Sequence, residues 1–222
     1  MPVQIEKSTL QFLKQLAANN NKPWFEANKA VYEAARQNFI SMNAELIKKI
    51  TDFAPEFGGV DPKKSVFRIY RDVRFSKDKR PYKVNFGANL GIGKGATTAG
   101  YYVQIMPGNQ SFAAAGAYMP EPEALAAMRQ EIDYNLKAFE SILKQSAFKK
   151  MFGGLDEIEV LRNAPKGYDP ENPAVPYLKH KSFVVTRNFT DKEVLANDFV
   201  KTVVNTCKVA HPFVAFLNRA GD

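Results

Sequence analysis

Cysteine, histidine and long apolar runs are scarce in this chain, and each scarcity removes a class of chemistry. One cysteine, Cys207, permits no intramolecular disulfide. Two histidines, His180 and His211, lie far apart and leave a zinc site of ordinary composition short of ligands. Magnesium or manganese held by carboxylates has no diagnostic spacing, so no metal-ligating residue and no cofactor is assigned. Apolar runs such as 182–186 and 209–217 fall far short of the roughly 20 residues that cross a bilayer. The polar start, residues 1–8, holds no apolar signal core. These absences point to a cytoplasmic protein with no membrane partner.

What remains is the composition of an ordinary globular protein, 45% hydrophobic and 24% charged, with 222 residues to build a core. No repeat, low-complexity tract or linker interrupts it, so one domain over 1–222 is expected. Net charge is +8, unevenly spread. Residues 68–83 hold seven basic side chains (Arg68, Arg71, Arg74, Lys77, Lys79, Arg80, Lys83) against Asp72 and Asp78, a local net of +5. The other 24 basic and 21 acidic residues nearly balance. A local positive patch with an anionic partner is implied, either a small molecule or a nucleic acid.

Periodicity orders the elements. Ser8 precedes a helix with Leu10, Leu13 and Leu16 on one side, interrupted at Asn19, Asn20 and Asn21. Pro23 opens a second, in which Phe25, Tyr32, Phe39, Leu46 and Phe53 recur at heptad spacing. Run from 23 to 53, it would be about 45 Å long. Beyond Pro55, Gly58, Gly59 and Pro62 the period changes to two. Over 67–75 a strand is expected, with Phe67, Ile69, Val73 and Phe75 on one face and Arg68, Tyr70, Asp72 and Arg74 on the other. Arg71 falls on the apolar side, which predicts either a bulge there or a buried, partnered arginine.

Three more strands at 84–92, 101–106 and 111–118, joined by short turns, suggest an antiparallel meander. A helix from Pro122 carries Leu125, Met128, Ile132, Leu136, Phe139 and Leu143 toward Phe148. Pro165, Pro170, Pro173 and Pro176 make 153–176 irregular. A strand at 182–189 leads to a capping box, Thr190 with Glu193, and a last helix to about Leu217 that Pro212 should kink or divide. The fold class is α+β: an antiparallel sheet of roughly four to six strands packed against long helices.

The stretch Arg71-Asp-Val-Arg-Phe-Ser-Lys-Asp-Lys-Arg-Pro-Tyr-Lys83 resembles the signature of the bacterial family called domain of unknown function 2461. The family's early Asn-Asn-x-x-x-Trp-Phe is matched at Asn20, Asn21, Trp24 and Phe25, and its Pro-x-Gly-Tyr at Pro165, Gly167 and Tyr168. The likeness covers nearly the whole chain and implies no activity, substrate or cofactor.

Candidate binding residues are therefore Arg68, Arg71, Asp72, Arg74, Ser76, Lys77, Lys79, Tyr82 and Lys83. On an extended strand Arg68 and Arg74 stand about 20 Å apart, too far to hold one small anion together. Arg74 with the 76–79 turn is the better anion cradle, joined by Lys83, in a binding protein or an enzyme for a phosphorylated or carboxylated molecule. The alternative is a nucleic-acid-binding module with Tyr82, Tyr101, Tyr102, Phe112 and Tyr118 as an aromatic floor. A third reading ties the arginines to carboxylates as a structural lattice, with another protein as partner. Elsewhere the bland readings prevail. The loop at 91–96 lacks the Walker spacing, His180 reads as surface, His211 as a helix cap or packing residue, and Cys207 and Trp24 as core. Asn20 and Asn21 read as closing the first helix, and no nucleophile–base pair is visible.

Overall fold

The computed structural model describes residues 3–91 and 98–221; the loop expected at 91–96 lies, apart from Gly91, outside them. The described residues form nine α-helices and a four-stranded antiparallel sheet, the α+β class expected, with strand number at the low end of the range. Strands β1 (Phe86–Leu90), β2 (Gly100–Ile105), β3 (Ser111–Ala117) and β4 (Phe183–Phe189) hydrogen-bond in chain order. No helix among the described residues is long and apolar enough to cross a membrane.

The chain divides into two compact units, one of 1–90, 102–113 and 188–205, the other of 91–101, 114–187 and 206–222. The first contains α1 (Lys7–Ala18), α2 (Lys22–Ala27) and α3 (Lys29–Thr51). The single helix expected over 23–53 is thus broken, and Asn28 is the cause. Its side-chain Nδ2 donates to the Trp24 carbonyl at 2.8 Å, competing with the helical ladder, and its backbone leaves helical geometry at φ −110°, ψ 18°. The heptad aromatics still converge. Phe86 of β1 lies 6.4 Å from Phe12, 6.3 Å from Tyr32 and 5.6 Å from Phe39, ring centre to ring centre. Helix α3 packs on α1 and β1 around this cluster. The Thr190–Glu193 capping box forms, but its helix, α8 (Asp191–Val194), is a single turn.

The second unit holds α4 (Pro122–Tyr134), α5 (Leu136–Lys144), α6 (Ser146–Phe152) and α7 (Val175–Leu178). The one helix expected beyond Pro122 is divided at Asn135 and Gln145. Phe139 anchors the interior, with Tyr177 and Phe216 each 5.2 Å away. At Gly116, φ +122°, an added Cβ would collide with the Phe183 carbonyl oxygen, so β3 and β4 approach at a glycine. The last helix, α9 (Phe199–Asn218), contains Pro212 without ending there. Cys207 is buried, its thiol pushed up to about 12 by burial. His180, expected at the surface, is 9% exposed, and His211 Nδ1 lies 3.1 Å from the Tyr101 hydroxyl.

Candidate functional site

The segment expected as a strand over 67–75 is not one. Extended chain at 65–71 runs antiparallel to 81–89 with single bridges Val66–Ala88 and Tyr70–Tyr82. Phe67 N–H donates to Gly87 O (2.9 Å), Asn89 N–H to Ser65 O (3.0 Å), Lys83 N–H to Ile69 O (2.8 Å) and Arg71 N–H to Pro81 O (2.9 Å). Three residues separate the bridges on the outgoing side and five on the return, so the irregularity lies on the returning side around Val84 and Asn85 and not near Arg71. Two faces were predicted, yet Phe67 is 47% and Phe75 95% exposed while Ile69 is 2%. The segment lies along the outer edge of β1, which is thereby covered.

The tip of this hairpin is braced by a twice-used device. Asp72 accepts from the Arg74 backbone N–H (3.2 Å) and, through both oxygens, from its guanidinium, Nη2 at 2.7 Å. Asp78 does the same for Arg80, with N–H at 3.0 Å and Nη2 at 2.7 Å. Arg71 Nη1 also reaches Asp78 at 2.7 Å and donates to Arg80 O at 3.1 Å. Ser76 Oγ accepts from Asp78 N–H, and Lys79 Nζ donates to Val73 O at 3.0 Å. The bonded arginines hold both carboxyls below the usual range: Arg74 at Asp72, and Arg80 first, then Arg71, at Asp78. Of the anion cradle expected at Arg74 and the 76–79 turn, Arg74 is thus already bonded to Asp72 and Lys79 to a backbone carbonyl.

Tyr82, expected beside a ligand, is core: 3% exposed and stacked on Phe25 at 4.0 Å. Its backbone is clamped from both sides by Asn20, whose Nδ2 donates to Tyr82 O (2.9 Å) and whose Oδ1 accepts from Tyr82 N–H (3.1 Å). Asn21 caps α2, accepting from Trp24 N–H at 3.0 Å. The early motif and the basic signature thus meet, with the asparagines holding backbone in place. The aromatic floor is not built as expected, since Tyr101 is also core at 1%.

Three of the predicted residues, Arg71, Asp72 and Lys83, line a groove of about 490 Å³ with Phe67, Asn85, Gly87, Tyr102 and Gln104. Arg68, Arg74, Ser76, Lys77, Lys79 and Tyr82 are not among its lining residues. Lys83 Nζ sits 5.1 Å over the Phe67 ring, and burial, then the Arg68 charge, lowers its pKa. Phe67 also contacts Tyr102, ring centres 6.1 Å apart. Tyr102 OH donates to Gln104 Oε1 at 3.2 Å, and Asn85 Nδ2 to the same oxygen at 3.1 Å. Burial raises the Tyr102 hydroxyl pKa. Gly87 is what admits that hydroxyl, since a Cβ there would collide with it. Asn85, Gly87 and Gln104 escaped sequence reasoning. The only signals were a glycine inside a strand pattern and the i, i+2 spacing of Tyr102 and Gln104.

Among the described residues, no three His, Cys, Asp or Glu side chains are grouped so as to hold a metal ion. The chain belongs to the family described as conserved hypothetical protein (DUF2461), whose model matches residues 8–216. Neither the curated proteins nor the solved structures give a match to it.

Proposed function

We propose that this member of the DUF2461 family binds a small phosphorylated or carboxylated molecule in the groove between the hairpin and strands β1 and β2. Lys83 is the central contact, Arg71 lends a guanidinium edge and Arg68 adds field. The observation that carries this reading is Lys83 itself. Its ammonium is partly withdrawn from water, its charged neighbour is another cation, and no carboxylate pairs with it among the described residues. Lys83 and Arg68 repel one another, and the nearby Asp72, though within the field of Arg68, is bonded to Arg74 and pairs with neither, so an anion from solution relieves that repulsion. The braced turn supports the same site, because Arg74 is held by Asp72 and Arg71 and Arg80 by Asp78, which leaves Lys83 as the groove cation with no carboxylate bonded to it. Phe67 and Tyr102 supply apolar walls and the Asn85 and Gln104 amides a polar floor, the mixed lining that small-molecule sites show.

A thermal-shift panel of phosphorylated and carboxylated metabolites tests it. A binder at a hundredfold over its Kd should raise Tm by roughly 5–10 °C in a chain of this size. Lys83→Met, which keeps the stem over Phe67 and removes the charge, should abolish the shift. Indifference of the wild-type protein to the whole panel refutes the reading.

A further inference from the structure

The signature hairpin carries a second feature that the groove does not use. Phe75 is 95% exposed, with the Arg74 guanidinium 5.8 Å from its ring centre. A free loop would fold such a side chain down, but this one is held out by the Asp72–Arg74 and Asp78–Arg80 pairs, the Arg71–Asp78 bridge and the Lys79 bond to Val73. The ion pairs thus fix the shape of the loop that presents the ring. Tyr70 is presented too. It is 50% exposed while its other side rests on Tyr82 at 5.4 Å and Phe25 at 6.1 Å, a rigid stack anchored in the core. On either side of these rings in the chain stand the exposed cations Arg68 and Lys77.

We infer that this face of the hairpin is a docking surface for single-stranded nucleic acid, with Phe75 and Tyr70 as stacking platforms for bases and Arg68 and Lys77 as phosphate contacts. The inference goes beyond the small-anion reading and shares with it only Arg68. Every base offers a π-face and every nucleotide a phosphate, so a strand laid along the hairpin meets two rings, Tyr70 and Phe75, flanked in the chain by the cations Arg68 and Lys77. Local charge is complementary: residues 68–83 carry a net +5. A bilayer is the poorer match. Penetration needs apolar side chains gathered at one depth, whereas only Phe75 stands fully clear and two aspartates flank it. The rings differ from those sequence alone suggested, because Tyr82 and Tyr101 are buried and Tyr70 and Phe75 are open.

Fluorescence anisotropy of a labelled twelve-nucleotide oligothymidylate with the full chain decides the matter. Binding is expected at about 50 mM salt, with a log–log salt slope of about −1.4 for the two phosphate contacts. Phe75→Ser should weaken it at least about fivefold with no change of slope. Melting temperature and the small-anion thermal shift should stay as in wild type. Arg68→Ala with Lys77→Ala should flatten the slope by about one unit or more. Absence of salt-sensitive binding, an unaltered affinity in Phe75→Ser, or capture by phosphatidylserine vesicles without oligonucleotide binding each overturns the inference. A failed small-anion panel with intact oligonucleotide binding refutes only the groove.

Discussion

Asn20 is the residue whose loss the structure prices most directly. Its amide closes a two-bond ring with the Tyr82 backbone, donating at 2.9 Å and accepting at 3.1 Å, as a neighbouring strand would. Tyr82 is buried at 3%, so Asn20→Ala strips partners from an N–H and a C=O that water reaches poorly. Each lost bond is worth about 1 kcal/mol net and each stranded group up to about 3, so a loss of roughly 2–4 kcal/mol is expected. Asn20→Asp sharpens the test. One carboxylate oxygen still accepts from Tyr82 N–H, but the other faces the Tyr82 carbonyl, so at neutral pH the acid should be no better than alanine. Protonation restores a donor; stability relative to Asn20→Ala should then rise as pH falls through the raised pKa of the new carboxyl. Urea unfolding at pH 7 and pH 4.5 measures both. An Asn20→Ala variant within about 0.5 kcal/mol of wild type, or an aspartate indistinguishable from asparagine at pH 7, refutes the clamp.

Gly87→Ala should destabilise by about 1–3 kcal/mol, because the new methyl meets the Tyr102 hydroxyl and its Cζ at 3.0 Å. Adding Tyr102→Phe should recover part of that, a coupling that a double-mutant cycle in urea reads out; strict additivity counts against the contact. Asp78→Asn releases Arg71 and Arg80 together, so trypsin should cut the 74–80 loop faster under native conditions. Acid should do the same in the wild type. A carboxyl held low by its arginines contributes stability above the ordinary carboxylate value of 3.8 and loses it as pH falls through its folded value, so cleavage with an acid-active protease should stay slow at pH 4 and rise below it. His180 works near neutrality. Burial lowers its pKa from 6.5, so its contribution is complete above that value and declines as pH drops below it. Tm should fall between pH 7.5 and 5.5, and His180→Gln should flatten that slope; an equal slope in the variant would rule the histidine out.

Much of this was legible in the sequence, and the failures have physical causes. Apolar periodicity located the helices because burial sets the period, but a heptad repeat keeps its phase across a one-residue interruption, so Phe25 and Tyr32 fit one helix as well as two. Only the Asn28 side chain, bonded to the Trp24 carbonyl, distinguishes them. Alternation over 67–75 suggested a strand, but only 65–71 is paired, through single bridges, because alternation says nothing about what lies opposite. Here 65–71 pairs only with 81–89, and Phe67 and Phe75 remain open. The groove stayed hidden for the same reason. Tyr102 and Gln104 share a face of β2 by period, but their position over Gly87 depends on strand register, a long-range quantity. The Asp-x-Arg spacing at 72–74 and again at 78–80 was in plain view, and its repetition was the available sign that these arginines serve the turn.

That spacing changes what the basic signature means. Seven cations against two aspartates suggested a broad positive region, but the aspartates are not spread among them. One neutralises Arg74, and the other is shared by Arg80 and Arg71. A bidentate pair is close to a dipole at the distance of a Debye length, so the tip contributes shape more than field. The net of +5 that remains lies on Arg68, Lys77, Lys79 and Lys83, plus the one charge left over where two arginines share Asp78, and of the four Lys83 lies over an aromatic ring. An anion drawn to this hairpin therefore meets the groove, where Lys83 and the Asp78-bonded Arg71 stand and neither Arg74 nor Arg80 is among the lining residues, or the projecting tip through Lys77. Substituting Arg74 or Arg80 should consequently alter loop rigidity before it alters affinity, the reverse of the order expected if those arginines held the ligand.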